Sequence, residues 1–190
     1  MDQHTSVREY FRGNPFKRGR VASQQEMTDS GQGMDEVLRL AQALDQQGDA
    51  EGARAAYQQV IDSGHAEHAP AAAFKLGLLL GKRDDLPGAR TAYEYAATSG
   101  HSEYGPMAAR NLGHVLKRLG HYRQACEAYE LAIHSRHPEV APWAMLYLGN
   151  LLIYTRNTNA GRATYQMAID SGHPKVGPQA AQHLADLDGE

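Results

Sequence analysis

Apolar residues along this chain form two alternating stripes, and each stripe has the spacing of one face of an α-helix. In residues 71–106, the first stripe includes Leu76 and Leu80, and the second includes Ala89 and Tyr93. Spacings of three and four residues place such a set on one side of a helix. No run of alternating β-branched residues interrupts this pattern. The sequence therefore predicts an all-α protein.

Both stripes recur with a fixed period of 36 residues. The period is marked by four prolines and four tyrosines: Pro70, Pro106, Pro142, Pro178, Tyr57, Tyr93, Tyr129 and Tyr165. A period of this size is typical of a solenoid, in which each unit packs only on its neighbours. We predict a right-handed α-solenoid over residues 34–190, built of four helix-turn-helix repeats and a C-terminal capping helix.

Residues that favour helix ends separate the stripes. The predicted N-caps of the second helix in each unit are Asp49, Asp85, His121 and Asn157. Asp and Asn are good N-caps because a side-chain oxygen accepts a hydrogen bond from an unpaired amide, and His121 is the weakest of the four. Glycines suited to a left-handed C-cap follow the helices, at Gly48, Gly64, Gly100, Gly120 and Gly172.

The repeated residues resemble a known family. Each central unit has Leu-Gly in its first helix, then an alanine, then a tyrosine four residues after it, as in Gly77, Ala89 and Tyr93. This is the pattern of tetratricopeptide repeats, in which the small glycine lets the two helices approach and the tyrosine fills the space between them. The Ser-Gly-His endings, as at 63–65, are also similar to Sel-like repeats, but the long Gly-rich turn of that group is missing. The resemblance covers about residues 35–188 and implies a helical scaffold.

Residues 1–33 have no helical stripe, and we predict a mostly disordered arm. Its first 20 residues carry a net charge of +3, whereas the whole chain carries −3. With a single cysteine, Cys126, an internal disulfide is excluded, and no apolar run has the length of a signal peptide or a membrane span. These features predict a cytoplasmic protein without membrane contact. The composition and the style of repeat resemble those of bacterial proteins.

The sequence gives no reason to expect an enzyme, a metal site or a cofactor. Four of the ten histidines, His65, His101, His137 and His173, occupy one loop position in successive units. Neighbouring helices lie about 8–10 Å apart, whereas two histidines on one zinc must lie within about 4 Å of each other. We therefore predict that each imidazole satisfies loop backbone groups or caps a helix end.

The concave face is the predicted binding site. In tetratricopeptide arrays this face is lined by first-helix residues that point away from the second helix. Carried over to this chain, the partner-binding candidates are Phe74, Leu78, Arg110, His114, Lys117, Arg118, Trp143, Asn150 and Tyr154. Large apolar side chains around a basic centre suit a peptide with hydrophobic anchors and a carboxylate. The alternative for Phe74, Leu146 and Ile153 is that they form core between stacked units.

From these observations we predict a non-enzymatic scaffold or adaptor that binds a protein or peptide through its concave face. The alternative is a self-associating structural subunit, that is, a homo-oligomer within a larger assembly. Nucleic-acid binding through the basic arm ranks third, because the net charge of −3 provides no global attraction to phosphate.

Overall fold

The computed structural model describes residues 31–189, and all regular structure in this range is helical. Short connections join successive helices, as expected for antiparallel neighbours in a helical array. The nine helices of this range are α1 (Gly31–Gln47), α2 (Ala50–Asp62), α3 (His68–Lys82), α4 (Leu86–Thr98), α5 (Tyr104–Arg118), α6 (Tyr122–His134), α7 (Ala141–Tyr154), α8 (Thr158–Asp170) and α9 (Val176–Asp188).

These helices form two layers of a solenoid. Each helix packs against its sequence neighbours, and each odd-numbered helix also packs against the next odd-numbered one. Packing within the odd-numbered layer is closer than within the even-numbered layer, so the odd-numbered helices form the inner, concave side. The predicted all-α solenoid of four helical pairs and a capping helix, α9, is confirmed.

A tyrosine fills the space between the two helices of every unit. Tyr57, Tyr93, Tyr129 and Tyr165 are all buried, and alanines surround them in the core. In the second unit, a Cβ added to Gly77 would lie 2.5 Å from Cε1 of Tyr93, closer than carbon atoms approach. The glycine is therefore required for this packing, as the sequence predicted.

All four predicted N-cap residues stand at the N-cap position, but only two of them make a capping hydrogen bond. Asp49 and Asp85 cap α2 and α4, since their Oδ1 atoms accept hydrogen bonds from the amides of Gly52 (3.0 Å) and Gly88 (2.9 Å). Asn157 stands at the N-cap position of α8, but its side chain makes no capping hydrogen bond. The predicted position of Asn157 is correct, but the predicted capping hydrogen bond is not formed. His121, at the start of α6, makes none either.

The left-handed turns also recur, and three are not glycines. All five predicted C-cap glycines have positive φ angles, between 65° and 85°. The equivalent positions in other units hold Asp84 (φ 64°), Arg136 (φ 54°) and Arg156 (φ 65°). The backbone of each unit thus keeps its geometry even where the side chain disfavours it.

The first helix begins earlier than predicted. Helix α1 starts at Gly31, three residues before the expected domain boundary at 34, and Gly33 and Met34 are already buried. The rest of the predicted disordered arm lies outside the described residues. Among residues 31–189, no helix combines the length and the apolar character that a bilayer crossing requires.

Candidate partner-binding face

The inner layer of the solenoid has an unusual charge distribution. Helices α3, α5 and α7 contain no aspartate or glutamate. Two of these helices carry cationic side chains, at Lys75, Lys82, Arg110, Lys117 and Arg118. The chain as a whole is acidic, with a net charge of −3. Positive charge is thus concentrated on the inner helices of the central units, and an acidic partner would be attracted there.

A cluster of aromatic rings connects the inner helices α5 and α7. Trp143 and Tyr147 are one helical turn apart and stack with their ring centroids at 5.8 Å. Tyr147 meets His114 edge to face at 4.4 Å, and His114 in turn lies edge to face with Tyr129 at 5.5 Å. Such contacts hold the rings in fixed orientations. The cluster forms a rigid, half-buried aromatic wall beside the cationic residues of α5.

His114 is neutral near neutral pH. Burial, together with the nearby charges of Arg110 and Lys117, lowers its pKa to about 4. Its Nδ1 atom is hydrogen-bonded to the hydroxyl of Tyr129 at 3.1 Å. Burial also raises the pKa of Tyr129, so this hydroxyl keeps its proton. His114 was predicted as a partner contact, and its place in the structure is that of a support for the aromatic wall.

Asn150 occupies the same repeat position as His114, 36 residues later, and its side chain is likewise hydrogen-bonded to a tyrosine hydroxyl. Its Oδ1 accepts a hydrogen bond from the hydroxyl of Tyr165 at 2.7 Å and lies 2.9 Å from Nδ1 of His183 on α9. The amide thus links α7 and α8 to the capping helix.

The remaining predicted contacts lie near the C-terminal ends of the inner helices. Tyr154 is 62% exposed, and its hydroxyl lies 3.4 Å from that of Tyr122. Arg118 forms an ion pair with Asp84 in the α3–α4 turn. Both side chains of that pair are more than half exposed, so the pair contributes little to stability. Lys117 is exposed and forms no ion pair with the described residues. Leu78 is 37% exposed.

Two of the apolar candidates are core residues. Phe74 is buried and packs against Tyr93 and Tyr104, with centroids at 6.1 and 5.7 Å. Leu146 is 2% exposed. Neither side chain is available to a partner, so the prediction for Phe74 is corrected. Ile153 is only partly buried and points toward Gly161 of α8. Phe74 and Leu146 are buried because the stacking of units covers first-helix positions that face a neighbouring helix.

The repeated histidines cap the inner helices. Nδ1 of His101 accepts hydrogen bonds from the amides of Glu103 and Tyr104, both at 3.2 Å. His173 makes the same two contacts at the start of α9. The equivalent bonds are present at His65, and His137 keeps one of them. The predicted structural role of these imidazoles is confirmed. Within residues 31–189, no group of three or more potential ligands is placed to hold a metal ion.

Sequence reasoning missed Tyr147. This residue joins Trp143 to His114, and it occupies the repeat position that holds Asn111 and His183 in the neighbouring units. Asn111 contacts the hydroxyl of Tyr93 at 3.4 Å, and the ring of His183 contacts Tyr165 at 5.6 Å. Two features of the sequence could have identified Tyr147. It lies 36 residues from both Asn111 and His183, and it follows Trp143 by four residues, one helical turn.

Comparison with known proteins identifies the repeat. Two family models described as tetratricopeptide repeat match the chain, one over residues 38–103 and the other over residues 111–134. The chain carries tetratricopeptide repeats. Tetratricopeptide proteins are typically non-enzymatic, and the match supports a protein-interaction scaffold. The comparison with curated proteins found no match.

Solved structures of other proteins share the fold. The crystal structure of MamA has a TM-score of 0.61 and 18% identity, covering 73% of this tetratricopeptide chain and 78% of that chain. PilF of Pseudomonas aeruginosa has a TM-score of 0.62 and 17% identity, with coverages of 81% and 67%. BtubC from P. vanneervenii has a TM-score of 0.66 and 15% identity, with coverages of 97% and 80%. At these identities the likeness concerns the fold alone.

Proposed function

We propose that this protein is an adaptor whose concave face, between α5 and α7, binds an acidic segment of a partner protein. The observation that carries the proposal is the charge of the inner layer. Helices α3, α5 and α7 hold five cationic side chains and no carboxylate, within an acidic chain. A partner with carboxylates and a large apolar side chain complements this surface.

The anchoring residues follow from exposure. Arg110 and Lys117 lie two turns apart on α5, and Trp143 stands on the next inner helix, α7, where its ring stacks on Tyr147. Arginine offers a fork of donors that matches a carboxylate, and a partly buried indole provides rigid apolar area at small entropic cost. Tyr154 and Leu78 extend the surface at its edge. His114 supports the wall through its hydrogen bond with Tyr129, and Asn150 links α7 to α8 and α9.

Selection from a displayed peptide library tests this function. Peptides retained by the wild-type protein should be enriched in Asp and Glu together with Leu or an aromatic residue. The Arg110→Ala/Lys117→Ala double variant should lose this enrichment, because it removes two cations without touching the buried core. Arg54→Ala on the outer helix α2 serves as the matched control and should retain the same peptides. Enrichment of basic peptides, or equal enrichment by the double variant, would contradict the proposal.

Self-association and nucleic-acid binding remain alternative predictions that separate experiments address. A self-associating subunit would show a concentration-dependent mass in light scattering. A nucleic-acid-binding protein would retain mixed oligonucleotides with a steep dependence on salt. The proposal expects a constant mass and no oligonucleotide retention at physiological salt.

A further inference from the structure

The outer layer carries a row of exposed apolar side chains that the proposed function does not use. Tyr95 is 41% exposed, Leu131 45% and Met167 49%. These three residues are 36 apart, so they occupy one repeat position on α4, α6 and α8. Unit 1 has Gln59 at this position. These exposed apolar residues recur in register along the outer layer, and exposed apolar patches mark sites of interaction.

Leu131 also borders a groove, which we call the outer groove. It lies between α4 and α6, with α5 as its floor, and has a volume of about 240 Å³. Its apolar lining is formed by Leu112, Leu116, Ala128 and Leu131, and its polar edges by Arg90, Glu94, Gln124 and Glu127. Pockets that hold small molecules usually measure about 300–1,000 Å³. The outer groove is therefore sized for a single large side chain of a peptide.

The charge of the outer layer is opposite to that of the inner layer. Helices α2, α4, α6 and α8 together contain six carboxylates and four arginines. Near the outer groove, Glu94 pairs with Arg90 at 2.7 Å and Glu127 approaches Arg123 at 3.9 Å. Glu130, adjacent to Leu131, forms no ion pair with the described residues. A basic segment with aromatic side chains would complement this side of the molecule.

The chain itself contains such a segment. Residues 8–20 carry five arginines and lysines and one glutamate, together with Tyr10, Phe11 and Phe16. This segment lies outside the described residues and precedes Gly31, where α1 begins. Fourteen extended residues span roughly 50 Å, and neighbouring helices lie about 8–10 Å apart, so Phe16 can reach the third unit. The cationic inner helices α3 and α5 would repel the same segment.

We propose that residues 8–20 dock on the outer groove of the same molecule, with an aromatic side chain between α4 and α6 beside Leu131. Attachment to the array raises the effective concentration of the segment to the millimolar range, so weak contacts suffice. Docking on the outer side leaves the inner face open for a partner. The two surfaces are separate, and the failure of one proposal leaves the other untouched.

Paramagnetic broadening in the full chain tests this docking. A spin label is attached to Ser6→Cys in a chain that also carries Cys126→Ser, and amide signals are recorded with the label oxidised and reduced. The label should broaden the signals of residues 124–131 on α6 and of the facing turns of α4. The variant Leu131→Arg should lose this broadening, because it fills the groove rim with a cation. The matched control Leu78→Arg, at an exposed leucine of the inner layer, should keep it.

Three outcomes would overturn the proposal. Broadening centred on exposed inner-face residues, such as Leu78 of α3 and Tyr154 of α7, would place the segment on the wrong face. The absence of localised broadening, with a normal thermal transition, would show that the segment does not dock. Broadening in a mixed sample, where the label and the isotope are on different molecules, would assign the groove to a second copy instead.

Discussion

Gly77 and Tyr93 touch so closely that the glycine has no room for a side chain. A Cβ on Gly77 would stand 2.5 Å from Cε1 and 2.7 Å from Cδ1 of the tyrosine ring. The same relationship recurs 72 residues later between Gly149 and Tyr165, again at 2.5 Å. The close approach of the two helices in the second, third and fourth units therefore depends on one missing methyl group.

Replacing this glycine should destabilise the array. Gly77→Ala forces the buried ring to move, and overpacking of this kind costs about 1–3 kcal/mol. We expect the lower end of this range, because unit 1 carries Ala41 at the equivalent position. Urea unfolding followed by circular dichroism measures the change.

Gly81, on the same helix, is the matched control. A Cβ at Gly81 meets no atom within 4 Å. Gly81→Ala should therefore stabilise the protein by about 0.5–1 kcal/mol, since alanine is the better helix former. If both substitutions raised the unfolding midpoint, the contact between Gly77 and Tyr93 would not limit the packing.

The N-caps should differ in strength although their sequence positions are equivalent. Asp85→Ala removes an oxygen that accepts from the amide of Gly88 at 2.9 Å, and should cost about 1 kcal/mol. Asn157→Ala should cost much less, because the Asn157 side chain makes no capping bond. Equal losses for the two variants in urea unfolding would show that Asn157 caps α8 in solution.

Stability should fall on the acid side because of His114. Its folded-state pKa of about 4 lies below the ordinary value of 6.5, so the unfolded chain binds more protons between these limits. The stability associated with neutral His114 is complete above about pH 6.5 and is lost as the pH falls toward 4. The loss amounts to at most about 3 kcal/mol. Urea unfolding between pH 7 and pH 4.5 measures this slope.

The variant His114→Asn isolates this contribution. Asn150, at the equivalent position of unit 4, already accepts a hydrogen bond from Tyr165. His114→Asn should therefore keep the bond to Tyr129 and retain stability at pH 7. Its stability should decline less steeply with acid than that of the wild type. An unchanged slope would assign the acid sensitivity to other groups.

The repeat, its helices and its central packing could be predicted from the sequence, because they depend on local spacing. Gly77 and Tyr93 reveal their contact by recurring with one period. The exposure of individual inner residues could not be predicted in the same way. Phe74 and Leu78 are four residues apart on one helix, yet Phe74 is buried by Tyr93 and Tyr104 whereas Leu78 is exposed. That difference depends on how the next unit stacks.

The turns show a second limit of sequence reasoning. Arg136 interrupts the Ser-Gly-His pattern, and its residue type gives no reason to expect a left-handed backbone. The structure places it at φ 54°, in register with Gly64 and Gly100. The neighbouring helices fix the turn, and the arginine adopts a conformation that it would avoid in isolation.

The fluorescence of Trp143 gives the most direct test of the concave binding face. It is the only tryptophan in the chain, and it lies partly buried on α7, where it stacks on Tyr147, whose ring meets His114 of α5. A peptide with three aspartates and a leucine should change its emission in a saturable way, whereas the lysine analogue should not. Arg110→Ala/Lys117→Ala should weaken this binding, by about 1–3 kcal/mol if each side chain is a main anchor. Equal binding of both peptides, or wild-type affinity in the double variant, would contradict the account.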